Sequence, residues 1–447
     1  MPASCAKAPI REQSILAARG DDTLRFPASA PSVQPTRGTV HPITLDYGAD
    51  QPLVFESPAV TPGSFAPPAG ATGAEARGMV AAALTGPLDG PPLTAHVVPG
   101  DRVVIAIAGE VPQEQAVVEA VRDCLMTAGV EAADVAVLEG PMLGYGSSGT
   151  AGPRRPVAGA EAFDPAVESA TAYLAADEAG RPLHLARALV DADVVVAVGE
   201  WGWSPAFGGR SIEGELWPTF ARAQCRRDLL VALARRGRNA LAEWKGGMQD
   251  IAWQLGVCAS LRVVRGAEGS ILAARFGLPD EAARQAREVA AAWCPQLEQA
   301  DVVVASLSDP DGGFGMIAAA ASAAARATRP GGTICVACRH VEPPGVILTR
   351  WRQGAPLEPL VHEAVASGDE SLIADALLTR IFARGLADRR LVLLSDLDEA
   401  AVEELEFGHA PGPESVQRLA RRSDRLAVVA EADRSFPHAA DRISEGG

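Results

Sequence analysis

Residues 191–218, DADVVVAVGEWGWSPAFGGRSIEGELWP, constrain the fold more than any other stretch of the chain. The run Val194, Val195, Val196, Ala197, Val198 is apolar, β-branched and uninterrupted, then stops at Gly199. Such a run, bounded by turn residues, reads as a strand covered on both faces, as in a parallel sheet flanked by helices. Ligands of open α/β sheets sit beyond the carboxyl ends of such strands, so a site is expected near residues 199–211. The loop there holds no His, Lys, Cys or Asp. Its useful heteroatoms are those of Glu200, Arg210 and Ser211.

Around this strand the chain alternates strand and helix. A strand is expected at 102–108, a helix at 113–128, a strand at 135–138, and helical structure at 183–189 leading into 193–198. A second set follows: strands at 261–264 and 270–274, a helix at 280–293, a strand at 301–305, an Ala-rich helix at 315–327 and a strand at 332–337. Helices at 357–367, 371–384 and 414–422 and a strand at 391–395 complete it. Repeated βαβ units imply mostly parallel sheets. The expected architecture is two α/β domains. Residues 1–40 form a flexible tail, 41–258 an N-terminal domain opening on a hairpin (43–47 and 53–57), and 259–425 a C-terminal α/β domain. Residues 426–447 form a C-terminal segment that can return to the first domain.

The net charge of −16 argues against nucleic acid and anionic membranes as partners, since both need basic surface. No apolar run approaches the ~18 residues of a spanning helix, and the N-terminus does not read as a signal peptide. Seven scattered cysteines fit reduced thiols in a cytoplasmic protein. Cys335 and Cys338 form a C-x-x-C, but a strand places them on opposite faces, so two small core residues are expected and not a redox or zinc pair. No two histidines stand at metal-ligand spacing, and no metal site is expected. The turn after 102–108, AGEVPQEQ, lacks the glycines of a dinucleotide fingerprint. Gly-rich residues 141–156, with Arg154 and Arg155, offer main-chain donors for an anion but read more simply as a surface loop. Trp201, Trp203 and Phe207 suit either an aromatic wall for a small ligand or apolar filling of a vacated cleft. Glu110, Glu139 and Glu200 each follow an expected strand. They are the weak candidates for acid–base work, against the simpler reading of solvated loop carboxylates.

Taken together, the segments ITLDYG (43–48), LTGPLDGPPLTAHVVPGDRVVIAI (84–107), ADVVVAVGEWGWSPAFGGRS (192–211), QADVVVASLSDPDGGFG (299–315) and RPGGTICVACR (329–339) resemble, in order and spacing, the nickel-pincer lactate racemase family. The resemblance spans about residues 40–435. It implies two α/β domains around a cleft and a nickel pyridinium mononucleotide attached covalently to a Lys. It also implies two His that exchange a proton at the hydroxyl-bearing carbon and an Arg that holds the carboxylate. This chain departs at each of those positions. The family's Gly-Gly-Arg-Lys corresponds to Gly208, Gly209, Arg210 and Ser211, so Ser211 stands at the cofactor anchor. One catalytic His corresponds to Trp201 and the other to a position near Met142. The substrate Arg falls among residues 110–112, the nickel-ligating His near Arg226 or Arg227, and the cofactor contacts of the second domain within 315–319. The resemblance thus implies an isomerase fold, while the substitutions imply no bound cofactor and a binding, regulatory or structural role with a small molecule in the cleft. The alternative is an isomerase acting on a small 2-hydroxy acid or related metabolite through a remodelled cleft, with Glu110, Glu139, Glu200, Arg210 and Ser211 as its groups.

Overall fold

The computed structural model describes residues 42–56, 64–141, 157–176, 180–206, 216–257 and 259–440. The expected tail and the positions Met142, Arg154, Arg155, Phe207, Gly208, Gly209, Arg210 and Ser211 lie outside the described residues.

Two parallel sheets organise the chain. The first has the strand order Ile271–Gly277, Ser260–Arg265, Val194–Glu200, Val103–Ala108, Val135–Glu139, Ala160–Ala162. Only Ile271–Gly277 runs antiparallel to its neighbour. The second is wholly parallel, in the order Gly408–His409, Arg390–Leu394, Thr328–Ala337, Ala300–Ser306, Leu426–Val429.

The Val-rich run behaves as its composition requires. Val196 and Val198 pack under the helices Gly73–Thr85 and Glu114–Thr127, while Val195 and Ala197 face Phe220 and Leu189 on the other side. Successive side chains of a strand point to opposite faces, so two helical or loop layers are needed to cover a run with no polar residue. Each fully buried Val contributes roughly 1.5–3 kcal/mol of transfer free energy. The second sheet repeats the arrangement. Ile334 and Val336 face the helices Phe314–Ala327 and Glu370–Leu386; Cys335 and Ala337 face the hairpin of Ile43–Leu45 with Leu53–Phe55. Cys335 and Cys338 accordingly sit in different apolar clusters, and burial pushes their thiols up to about 12 and about 11. Both thiols are therefore held in the neutral form by their apolar surroundings, as small core side chains.

Three sequence expectations change. The boundary at 258/259 does not follow the sheets: the two strands just beyond it pair into the first sheet, Glu200 lying opposite Val263. The hairpin at the start of the described chain packs on the second sheet, not the first. Its turn needs Gly48, which has φ +85° and whose added Cβ would collide with Pro310. Residues 183–189 are not a helix throughout. Pro182–Ala186 is a strand pairing antiparallel with Thr171–Ala176, and only Arg187–Val190 is helical. Leu183 and Leu185 alternate about His184, a period of two that the downstream Ala-Leu pattern obscures. The helices Ala223–Arg236 and Leu241–Gln254 were not anticipated.

After the edge strand Leu426–Val429 the chain turns into Ala432–Arg434 and reaches the carboxyl ends of the first sheet. Phe65 pairs along the free edge of this strand, donating its N–H to the carbonyl of Val428 and accepting from the N–H of Ala430. Ala71 exchanges two hydrogen bonds with Ile271, so residues 64–71 tie the two sheets together.

Candidate functional site

Carboxyl ends of strands from both sheets meet at one cluster of charges. Gly109 and Glu110 follow Val103–Ala108, and Glu200 and Arg265 end their strands. Ser308 follows Ala300–Ser306; Glu431, Asp433 and Arg434 follow Leu426–Val429. Parallel strands deliver their last residues to the same edge, which is why residues distant in sequence converge here.

Arg265 is the centre. Its Nε and Nη2 donate to Oε2 of Glu200 at 3.1 and 2.9 Å, and Nη2 also donates to Oε1 of Glu110 at 3.0 Å. Arg434 closes the ring from the second sheet, donating from Nη2 to Oε2 of Glu110 at 3.0 Å and standing 3.9 Å from Glu200. Asp433 accepts from the N–H and the hydroxyl of Ser308, both at 2.7 Å, and Glu431 accepts from the N–H of Glu268 at 2.9 Å. The Arg265 and Glu200 side chains are 9% and 8% exposed, so their attraction acts in a weakly screening interior.

Burial pushes the Glu110 carboxyl up, but Arg434 and Arg265 outweigh it and hold the group at about 2. Arg265 keeps its charge despite burial because Glu200 and Glu110 compensate it. Burial pushes Glu431 and Asp433 up from their ordinary values. A carboxylate held near 2 carries no proton at neutral pH and is a feeble base, so the arrangement clamps two sheets better than it moves protons.

The sign of the resulting pH dependence is fixed. Glu110 has a folded value below its ordinary 4.5, so its contribution is complete above pH 4.5 and is lost as pH falls towards 2. That drop would be worth roughly 3 kcal/mol without screening. The Glu110 side chain is 41% exposed, which reduces the figure to about 1–2 kcal/mol. Asp433 and Glu431, raised by burial, act with the opposite sign. The difference between the wild-type and Glu110→Gln stability curves therefore isolates Glu110. Urea denaturation between pH 5 and 2.5 is expected to show the two curves converging at the acid end. A constant offset over that range would show that Glu110 is not held by the arginines.

Of the three candidate carboxylates, Glu110 and Glu200 converge through Arg265. Glu139 does not join them: buried at the end of its own strand, it accepts the N–H of Val157 at 2.8 Å and so anchors the local chain. Trp201 and Trp203 are 4% and 8% exposed and line no open cleft face together. Their rings meet edge to face at 5.2 Å, Trp203 stacks on Phe436 at 5.0 Å, and its indole N–H donates to the carbonyl of Ala290 at 3.2 Å. With Val264, Ala273 and Trp293 they form an apolar cluster beside the charges. Trp201 is packed within this cluster, while Trp203 also borders a cavity.

Arg265 and Arg434 were missed in the sequence. Arg265 ends the run LRVVR, where an arginine reads as a solvated strand end; Arg434 lies in a short turn, ADRSF, with no periodic signal. Among the described residues no group of three or more His, Cys, Asp or Glu side chains is placed to hold a metal ion. His340 lies buried at the end of Thr328–Ala337, edge-on to Phe314 at 5.1 Å, with its pKa lowered by burial. Among the described residues no helix is long and apolar enough to cross a membrane.

The architecture is that of a lactate racemase-like α/β protein. The chain superposes on the lactate racemase apoprotein from Thermoanaerobacterium thermosaccharolyticum with a TM-score of 0.64 and 16% identity, covering 89% of this chain and 100% of that one. It also superposes on a structural-genomics protein from Thermotoga maritima with a TM-score of 0.53 and 12% identity, covering 81% of this chain and 97% of that one. No protein-family profile matches, and no curated protein matches by sequence. At such identities the likeness speaks for the fold.

Proposed function

We propose that this chain is a lactate racemase-like protein without 2-hydroxy-acid racemase activity, one that binds a small molecule or serves a regulatory or structural role in the cytoplasm. The observation that carries this reading is Trp201. At the position corresponding to a catalytic His of the family it packs edge to face against Trp203, 4% exposed and beside the Glu200–Arg265 pair. An indole there neither takes nor returns a proton at neutral pH, whereas racemisation at a carbon bearing hydrogen needs groups that do both.

The residues present also fit the family's nickel-pincer nucleotide poorly. Arg226, near the expected nickel ligand, is a buried guanidinium with no lone pair to offer a metal. Residues 315–319, where cofactor contacts are expected, are Gly, Met, Ile, Ala and Ala, and the thioether of Met316 is the only side-chain heteroatom there. The strand ends of both sheets are joined by the Glu110, Glu200, Arg265 and Arg434 ring, which supports a clamp over a reaction centre.

The test is exchange at carbon 2. Purified full-length protein is incubated with L-lactate and D-lactate in D2O, and two signals are followed: optical rotation, which registers a hydride or a proton route, and deuterium incorporation at carbon 2, which registers a proton route alone. Neither is expected to change above the protein-free control. Exchange and racemisation that disappear in Glu200→Gln would replace this reading with the isomerase of remodelled cleft, using the carboxylates as its acid and base.

A further inference from the structure

A second basic feature adjoins the strand-end cluster, sharing Asp433 with it. Between the helices Phe314–Ala327 and Glu370–Leu386 is a cavity of about 250 Å3, bounded by Trp203 and Phe436 on one side and by four arginines, Arg326, Arg380, Arg384 and Arg389. In a chain of net charge −16 this is a local reversal of sign.

The way these arginines are held matters more than their number. Arg380 donates from Nε to the carbonyl of Ala234 at 2.6 Å, Arg389 donates from Nε and Nη2 to the carbonyl of Thr328 at 3.0 and 2.9 Å, and Arg326 donates from Nε to the carbonyl of Pro437 at 2.6 Å. A main-chain carbonyl fixes a guanidinium without cancelling its charge. Arg380 and Arg389 are 16% and 15% exposed, and their carboxylate neighbours, Glu358 and Asp388, are 72% and 59% exposed. Those pairs are solvent-screened and weak. Arg384 has no ion-pair partner among the described residues. The single carboxylate of the lining, Asp433, is bound to Ser308. The lining therefore gathers four guanidiniums, three of them oriented by main-chain carbonyls and Arg384 exposed, around a single carboxylate, an excess of positive charge that suits an anion.

We propose that this cavity binds a small phosphate monoester, the phosphate among the arginines and a short apolar or aromatic body against Trp203 and Phe436. A phosphate carries about −1.5 to −2 charges and three strong acceptor oxygens, which suits several guanidiniums better than one carboxylate does. Leu377 and Ile381 supply further apolar lining, and Phe436 already carries the Arg326 guanidinium 3.9 Å from its ring centre. The volume falls below the about 300–1,000 Å3 of pockets for drug-sized ligands, so a small metabolite fits and a dinucleotide does not. The test of this site is distinct from that of the lost racemase chemistry, since one follows lactate interconversion and the other phosphate binding at arginines outside the strand-end ring.

The experiment is calorimetric titration of the full-length protein at fixed ionic strength with phenyl phosphate, inorganic phosphate and benzoate. Phenyl phosphate is expected to bind with the lowest Kd, at least tenfold below benzoate, and inorganic phosphate between them. Arg384→Glu is expected to weaken phenyl phosphate at least tenfold and Arg384→Lys by no more than a few-fold, with both variants melting within a degree or two of wild type. Absence of phenyl phosphate binding at millimolar concentration, equal affinity for benzoate, or a Kd unmoved by Arg384→Glu would overturn the assignment.

Discussion

Replacing Arg265 with Ala is expected to cost about 3–5 kcal/mol of stability, the penalty for leaving a buried charge without its partner. Glu200, 8% exposed, would lose both guanidinium donors and keep only Arg434 at 3.9 Å. Glu110 would lose one of its two arginines. Arg265→Lys is expected to recover little, because an ammonium cannot reproduce the Nε and Nη2 pair directed at one carboxylate oxygen. The informative comparison is Arg265→Met combined with Glu200→Leu. Replacing both members by apolar side chains of similar volume removes the stranded charge, and a buried pair exchanged in this way is often neutral. The double variant is expected to be more stable than Arg265→Ala by 2 kcal/mol or more, on the order of the coupling seen between contacting residues. Urea midpoints at unchanged slope measure all of these. A loss below about 1 kcal/mol for Arg265→Ala would mean that water reaches Glu200 and that the ring is not sealed.

Trp203→Ala is the second large effect, at about 3–5 kcal/mol, the range for truncating a buried aromatic residue. Three contacts go at once: the stack on Phe436, the edge contact with Trp201 and the hydrogen bond to Ala290. Trp203→Phe keeps much of the volume and loses the indole donor, so a cost of about 1–2 kcal/mol is expected from the unpaired carbonyl and the smaller ring. Phe436 comes from the segment after the last strand of the second sheet, so the Trp203 stack also binds one sheet's strand ends to the other's. Under the alternative of an aromatic wall lining an open cleft, Trp203→Ala would leave stability within about 1 kcal/mol of wild type.

Much of this architecture was legible in the residues. The run 194–198 identified a strand covered on both faces because no polar residue interrupts it, and Val195 and Val196 do face different layers. Cys335 and Cys338 were separable as core residues because strand geometry alone puts residues three apart on opposite faces. Pairing across sequence was not legible. Ser260–Arg265 reads as the start of a second unit because a helix-rich stretch precedes it, yet backbone pairing with Val194–Glu200 places it in the first sheet. The site divides in the same way. Glu110 and Glu200 were nameable from their positions after strands, whereas Arg265 and Arg434 acquire meaning only when strand ends from two sheets converge. Glu139 satisfied the same positional rule and serves a different end, because a nearby main-chain N–H claims its carboxylate.

The proposal of a lactate racemase-like fold without racemase chemistry makes a definite prediction about the cofactor. Intact-mass spectrometry with nickel analysis, on full-length protein produced in a host able to make the nickel-pincer cofactor, tests it most directly. The expected result is a mass equal to that of the 46.3 kDa polypeptide, with no covalent adduct and nickel far below one atom per chain. A stoichiometric adduct carrying one nickel per chain, together with interconversion of the lactate enantiomers, would contradict it.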